Sequence, residues 1–212
     1  MNGISENKFV FINCPFDENY RQLFYLAAFT IFACGYTPRC AWELGDAAAQ
    51  RVTGILGLID QCRLSVHDLC RAKTGEDIRF NMPFELGLFV AARHFGGSEH
   101  EAKKAMVLHE KAYEYQRFLS DMAGSDFHAY DGRSDLYCKH IRDFLAKDCA
   151  ADRALYGHKI IIEKMEAFEV RLASAADADG LDIENLQFVD YMHILTENDV
   201  FECAVKPGNR KN

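Results

Sequence analysis

Between Ser65 and Gly87 the sequence gathers two carboxylates, an amide and several cations. The apolar run Leu64-Ser-Val-His67 leads to Asp68, and a polar loop carrying Arg71, Lys73 and Arg79 follows. Asn81-Met-Pro-Phe-Glu85 then opens a helical pattern. Breaking a ribose–base bond passes through a positively charged, oxocarbenium-like sugar. A carboxylate beneath the anomeric carbon can stabilise that charge or attack as a nucleophile. Glu85 is the candidate for this role. Asp68 is the candidate for binding ribose hydroxyls or orienting Glu85, and Asn81 for a hydrogen bond to the sugar. Arg71 and Arg79 are candidate phosphate ligands. Each residue also has an ordinary structural use. A Glu at a helix start offsets the macrodipole, Asn81 can cap the helix with Pro83 just inside it, Asp68 can cap a loop, and loop cations can simply be solvated.

Those side chains need a scaffold, and the chain supplies an alternating one. Strands are expected at Phe9–Asn13, Thr37–Trp42, Leu64–His67, Ala105–Leu108 and Phe127–Tyr130. Helices are expected at Tyr20–Ala33, Ala48–Gln61, Phe84–His94, Tyr113–Met122 and Leu136–Ala146. Alternation of this kind predicts an α/β fold, a flavodoxin-like parallel sheet with helices on both faces. Beyond it, Ala151–Ala176 carries an apolar helical stripe of Ile160, Ile161, Met165, Phe168 and Leu172, and Ile183–Leu195 offers another helix. The parse is an α/β domain over residues 1–150 and a helical C-terminal extension over 151–212. Its stripe is either core or a homo-oligomer contact.

Ligands of open parallel sheets sit beyond the carboxyl ends of the strands. On that rim the sequence places Asn13 and Asp17 after the first strand, and Arg39 and Trp42 around the second. All four are candidate substrate contacts, with Trp42 able to stack a base or to serve the core. No GxGxxG and no GxxxxGK[ST] occurs, so dinucleotide-binding Rossmann and P-loop readings are weak. GxSxG and HExxH are absent as well. The one ligand-like spacing, His67-Asp-Leu-Cys70, has no second pair to complete a metal site, so no metal and no cofactor are expected.

Composition narrows the partners. Net charge is -8 over 212 residues, which disfavours a polymeric nucleic acid and leaves a small nucleotide as the expected ligand. The longest apolar stretch, Leu23–Cys34, is shorter than a membrane span and reads as a buried helix, so no membrane partner is expected. Eight scattered cysteines, mostly in apolar segments, fit a reduced cytoplasmic protein.

Three stretches together resemble the nucleoside 2-deoxyribosyltransferase-like and TIR-like superfamily: Phe9-Val-Phe-Ile-Asn-Cys-Pro-Phe16, Val66-His-Asp-Leu69 and Asn81-Met-Pro-Phe-Glu-Leu-Gly-Leu88. The resemblance covers roughly residues 8–146. It implies a flavodoxin-like sheet, a catalytic Glu at Glu85 within Phe84-Glu85-Leu86-Gly87, and a sugar-binding Asp at Asp68. Asn81 stands near the place where deoxyribosyltransferases usually carry an Asp, and the Trp-Cys pair of TIR enzymes is absent. The expected function is cleavage or transfer at the N-glycosidic bond of a nucleotide-like substrate, with NAD favoured. A nucleoside 2-deoxyribosyltransferase, and a non-catalytic nucleotide-sensing or protein-interaction module, are the alternatives.

Overall fold

The computed structural model describes residues 8–44, 48–70, 73–74, 77–78, 80–112, 127–149 and 155–197. Along the chain these form β1 (Phe9–Asn13), α1 (Arg21–Ala33), β2 (Thr37–Cys40), α2 (Ala48–Gln61) and β3 (Leu64–Asp68). The two-residue strands β4 (Lys73–Thr74) and β5 (Asp77–Ile78) come next, followed by α3 (Asn81–Phe95), β6 (Lys104–His109) and β7 (Phe127–Ala129). Three helices complete the chain: α4 (Ser134–Ala146), α5 (His158–Ala178) and α6 (Phe188–Glu197). The sheet runs β2-β1-β3-β6-β7, every pairing parallel, while β4 and β5 form a separate antiparallel ribbon. This is an α/β fold with the flavodoxin-like strand order.

The pleat of the strands sorts side chains to two faces. Val10, Ile12, Leu64, Val66, Met106 and Leu108 point into the core shared with α1 and α4. Phe11 faces the other way, onto Ile55, Leu58 and Ile59 of α2 and Phe89 of α3. Val107 meets Met82 and Leu86 on that same side. Helix α1 is buried on nearly every side, from Phe24 through Ala33, because it lies between the sheet and the helices outside it. Ile161, Met165, Phe168 and Leu172 of α5 belong to that core, with Phe168 5.7 Å from Phe29. The C-terminal stripe is thus largely consumed within the chain, and of its members only Ile160 is well exposed, at 41%.

Several boundaries differ from the sequence expectation, each for a local reason. β2 ends at Cys40, not Trp42: Glu43 Oε1 accepts the Cys40 N–H at 2.8 Å and draws the chain into a 3-10 turn. α3 begins at Asn81, three residues early, and Phe80 rather than Asn81 is its N-cap, without a side-chain cap bond. Pro83 is tolerated there because the first N–H groups of a helix have no partner within it. The helix expected over 183–195 splits. Asp182 accepts hydrogen bonds from the Glu184 N–H at 3.0 Å and Asn185 Nδ2 at 2.6 Å, making a short turn before α6. The expected helix at Tyr113–Met122 and the first residues of the one at Ala151–Ala176 lie outside the described residues.

Lys103 fixes the far end of α2. Its Nζ donates to the carbonyls of Ile59 at 2.5 Å, Asp60 at 3.2 Å and Cys62 at 2.5 Å, while lying 5.0 Å from the Phe89 ring centre. A buried cation on otherwise unpaired terminal carbonyls is a C-cap that also suits the dipole. No described helix is long and apolar enough to cross a membrane.

Candidate active site at the sheet switch point

Strand order reverses direction between β1 and β3, and such a switch point leaves a crevice at the carboxyl ends of the strands. A cleft of about 510 Å³ opens there. The turn from Asn13 to Phe16, Arg51 of α2, and Phe80, Asn81, Met82 and Glu85 of the α3 start form its walls.

Glu85 lies in the second turn of α3, beyond the first-turn position where a carboxylate mainly serves the dipole. Its side chain reaches inward and is only 7% exposed. Oε2 is one of two buried side-chain polar atoms without a hydrogen-bond partner among the described residues, the other being the Tyr191 hydroxyl. Burial pushes the Glu85 carboxyl up to about 7, and the Arg51 guanidinium pulls in the opposite direction. An unpartnered buried carboxylate is costly to a fold unless something else uses it.

A buried polar chain supports this wall. Asn13 Nδ2 donates to the Met82 carbonyl at 2.8 Å and to His67 Nδ1 at 2.9 Å. With Nδ1 accepting, Nε2 carries the proton and donates to Ser65 Oγ at 2.9 Å. Burial lowers the His67 imidazole to about 3, so it is neutral at any physiological pH. Phe11 and Phe89 flank the ring edge-on. Strand ends β1 and β3 are in this way bonded to the first turn of α3. With both ring nitrogens engaged, His67 is unavailable to a metal. Among the described residues no three His, Cys, Asp or Glu side chains gather as a metal site.

Asp68 is elsewhere. It is the last residue of β3, and the pleat turns it to the α1/α4 face while His67 faces α3. There it is fully buried, accepting from the Tyr20 hydroxyl and from the Cys70 N–H at 2.8 Å. Tyr20 in turn meets the Tyr137 hydroxyl at 3.0 Å. Burial raises the Asp68 carboxyl, and the hydrogen bonds from Tyr20, Cys70 and Tyr130 oppose that rise. Asp68, expected to bind ribose hydroxyls or to orient Glu85, thus has its hydrogen bonds to Tyr20 and Cys70 on the α1/α4 side, whereas Glu85 lines the cleft beside α3.

Of the remaining sequence candidates, Asn13 and Asn81 join Glu85 at the cleft. Asp17 accepts the Tyr20 N–H at 3.1 Å and so caps the turn before α1. Arg39 is committed to Glu43 at 2.7 Å and to Gln61 at 3.1 Å, with the Phe9 ring 5.1 Å away. Trp42 packs on Phe16 and Phe24, at 5.0 and 4.6 Å, and borders a neighbouring cleft. Arg71 and Arg79 lie outside the described residues.

Sequence reasoning missed Arg51. Its faint signal is a cation in the first turn of a helix, where the dipole disfavours one. Cys14, the thiol among the described residues that lines the cleft, is a poor competing nucleophile. Burial pushes Cys14 and Cys40 far up and Cys62 to about 12, whereas reactive thiolates need a lowered pKa. Compared with models of protein families and with curated proteins, the sequence matches none.

Proposed function

We propose that the chain cleaves or transfers the N-glycosidic bond of a nucleotide-like substrate, with NAD favoured. The single observation behind this reading is Glu85, a buried carboxylate whose Oε2 has no partner among the described residues, lining a cleft at the switch point of the sheet. With the anomeric carbon seated against Glu85, the C–N bond breaks and its electron pair leaves with the base. The sugar carbon gains positive charge, and Glu85 either stabilises it or bonds to it. Water or another nucleophile then bonds to the sugar carbon, displacing Glu85 if it had bonded there, and its proton passes to the departed base or to solvent. Asn13 and Asn81 hold the sugar, while Asp68 acts from the opposite face by fixing the chain through Cys70 as it leaves β3.

Support also comes from the burial of the carboxylate. Glu85 is shielded from solvent although the cleft it lines is largely polar, and a poorly solvated anion stabilises an adjacent cation more strongly than one in water. Among described residues the seven cysteines are all thiols, which suits work in a reducing cytoplasm.

The test is mass spectrometry of wild type and Glu85→Gln after incubation with NAD, nucleoside monophosphates and deoxynucleosides. Base release by wild type and none by a folded Glu85→Gln is the expected result. Equal release by both proteins refutes the role of Glu85. Base exchange only when a second free base is supplied identifies the deoxyribosyltransferase instead, and tight nucleotide binding without product identifies a sensing module.

A further inference from the structure

The Glu85 cleft does not end at Arg51. That residue also borders a second cleft of about 410 Å³, whose wall includes Trp42, Asn185 and Gln187. Phe16 in the first cleft and Trp42 in the second touch through their rings at 5.0 Å, so the two hollows share one aromatic wall as well as one cation. The far wall comes from the C-terminal extension and is anchored on α1. Arg21 Nη1 donates to the Glu184 carbonyl, Tyr25 donates to the Leu186 carbonyl at 3.2 Å, and Phe188 packs 5.4 Å from Phe24.

Charges along the groove are mostly spoken for. Glu43 is held by Arg39 and by the Cys40 N–H, and Arg21 by the carbonyl of Glu184. Arg51 makes no hydrogen bond or ion pair with another described residue, although it stands where a helix dipole disfavours a cation. Glu85 is near enough to feel its charge, yet its Oε2 has no hydrogen-bond partner among the described residues. A guanidinium without a hydrogen-bond or ion-pair partner among the described residues, standing between two hollows, is suited to a phosphate, which it binds with two parallel N–H bonds.

Building on the function proposed above, we infer that Arg51 binds a phosphate of the ligand and that residues 185–188 wall a second compartment for the moiety beyond it. The glycosidic carbon then lies on the Glu85 side and the distal moiety on the Trp42 side. The C-terminal extension is accordingly part of the ligand site. A free nucleoside would use the first compartment alone, a mononucleotide would add Arg51, and a dinucleotide would fill both.

Calorimetric titration of Glu85→Gln, which separates binding from turnover, distinguishes these contributions with nicotinamide riboside, nicotinamide mononucleotide and NAD as probes. Adding Arg51→Met should weaken the mononucleotide and NAD by about tenfold to a hundredfold, the loss expected for a charged hydrogen-bonded pair, and leave the riboside unchanged. Arg51→Lys should recover part of the loss. Gln187→Ala should weaken NAD alone. Equal weakening of all three probes by Arg51→Met, no weakening of any, or no binding of any probe to the parent protein would each overturn the inference. Binding that follows the expected order without turnover by wild type would instead count against the function and leave Arg51 in its role.

Discussion

Asn13 Nδ2 and the Met82 carbonyl, 2.8 Å apart, join the end of β1 to the first turn of the helix that carries Glu85. The same amide group holds His67. Asn13→Ala therefore leaves a buried carbonyl and a buried ring nitrogen without their donor. The expected cost is about 1–3 kcal/mol, from the desolvation penalty of stranded polar groups. Urea unfolding of wild type and variant measures it, and a loss near zero would mean that the network does not hold α3.

Glu85 also sets a pH dependence of stability. Its carboxyl titrates at about 7 when folded and near 4.5 when exposed, so the folded state binds this proton more tightly. The stabilising contribution is complete below about pH 4.5 and is lost as pH rises through 7. Glu85→Gln has no such proton to lose. The variant should gain on wild type from pH 5 to pH 8, approaching about 3 kcal/mol at the upper end by the usual conversion of pKa shifts. Melting temperatures across that range should diverge in this direction, and parallel curves would refute the shifted carboxyl.

Turnover should respond to the same titration. If the ionised carboxylate is the working form, kcat/KM rises with pH through a limb near 7. Arg51 lowers this pKa, so Arg51→Met should move the limb upward in addition to weakening phosphate binding. A pH–rate profile that drops in height but keeps its midpoint would show that Arg51 does not act on Glu85.

Asp68→Asn should behave differently from Glu85→Gln. The side chain is bonded to Tyr20 and to the Cys70 N–H on the face away from the cleft. Disturbing a hydrogen-bonded carboxyl group at full burial should cost about 1–3 kcal/mol of stability. KM for NAD should stay at the wild-type value, and a raised KM in a fully folded variant would restore Asp68 to the sugar.

Much of the scaffold was legible because apolar runs and helical spacings alternate so regularly. Leu23–Cys34 was readable as a buried helix from its continuous apolarity, and α1 is sandwiched between layers for that reason. The place of Glu85 near the start of a helix beyond the third strand was legible from the strand-loop-helix pattern around it. Asp68 was harder, since a shift of one residue along a strand reverses the face a side chain meets. Arg39 and Asp17 looked like rim groups, but their partners come from local turns and, for Arg39, also from Gln61 at the end of α2, which composition does not announce. Arg51 was barely legible because its proposed role depends on two hollows meeting at one point, and its place in the first turn of a helix is only a faint signal.

Phe29 and its neighbours on α1 lean on Phe168 and on the rest of the outer helices, which gives the extension a structural standing of its own. A chain shortened to residue 150 would strip that cover from a helix with no polar face to turn outward. Such a truncation would come out of expression as aggregate, not as a smaller working unit. Anyone trimming this protein for crystallisation or fusing a partner to it must keep the last helices, because they are the floor on which its most apolar helix stands.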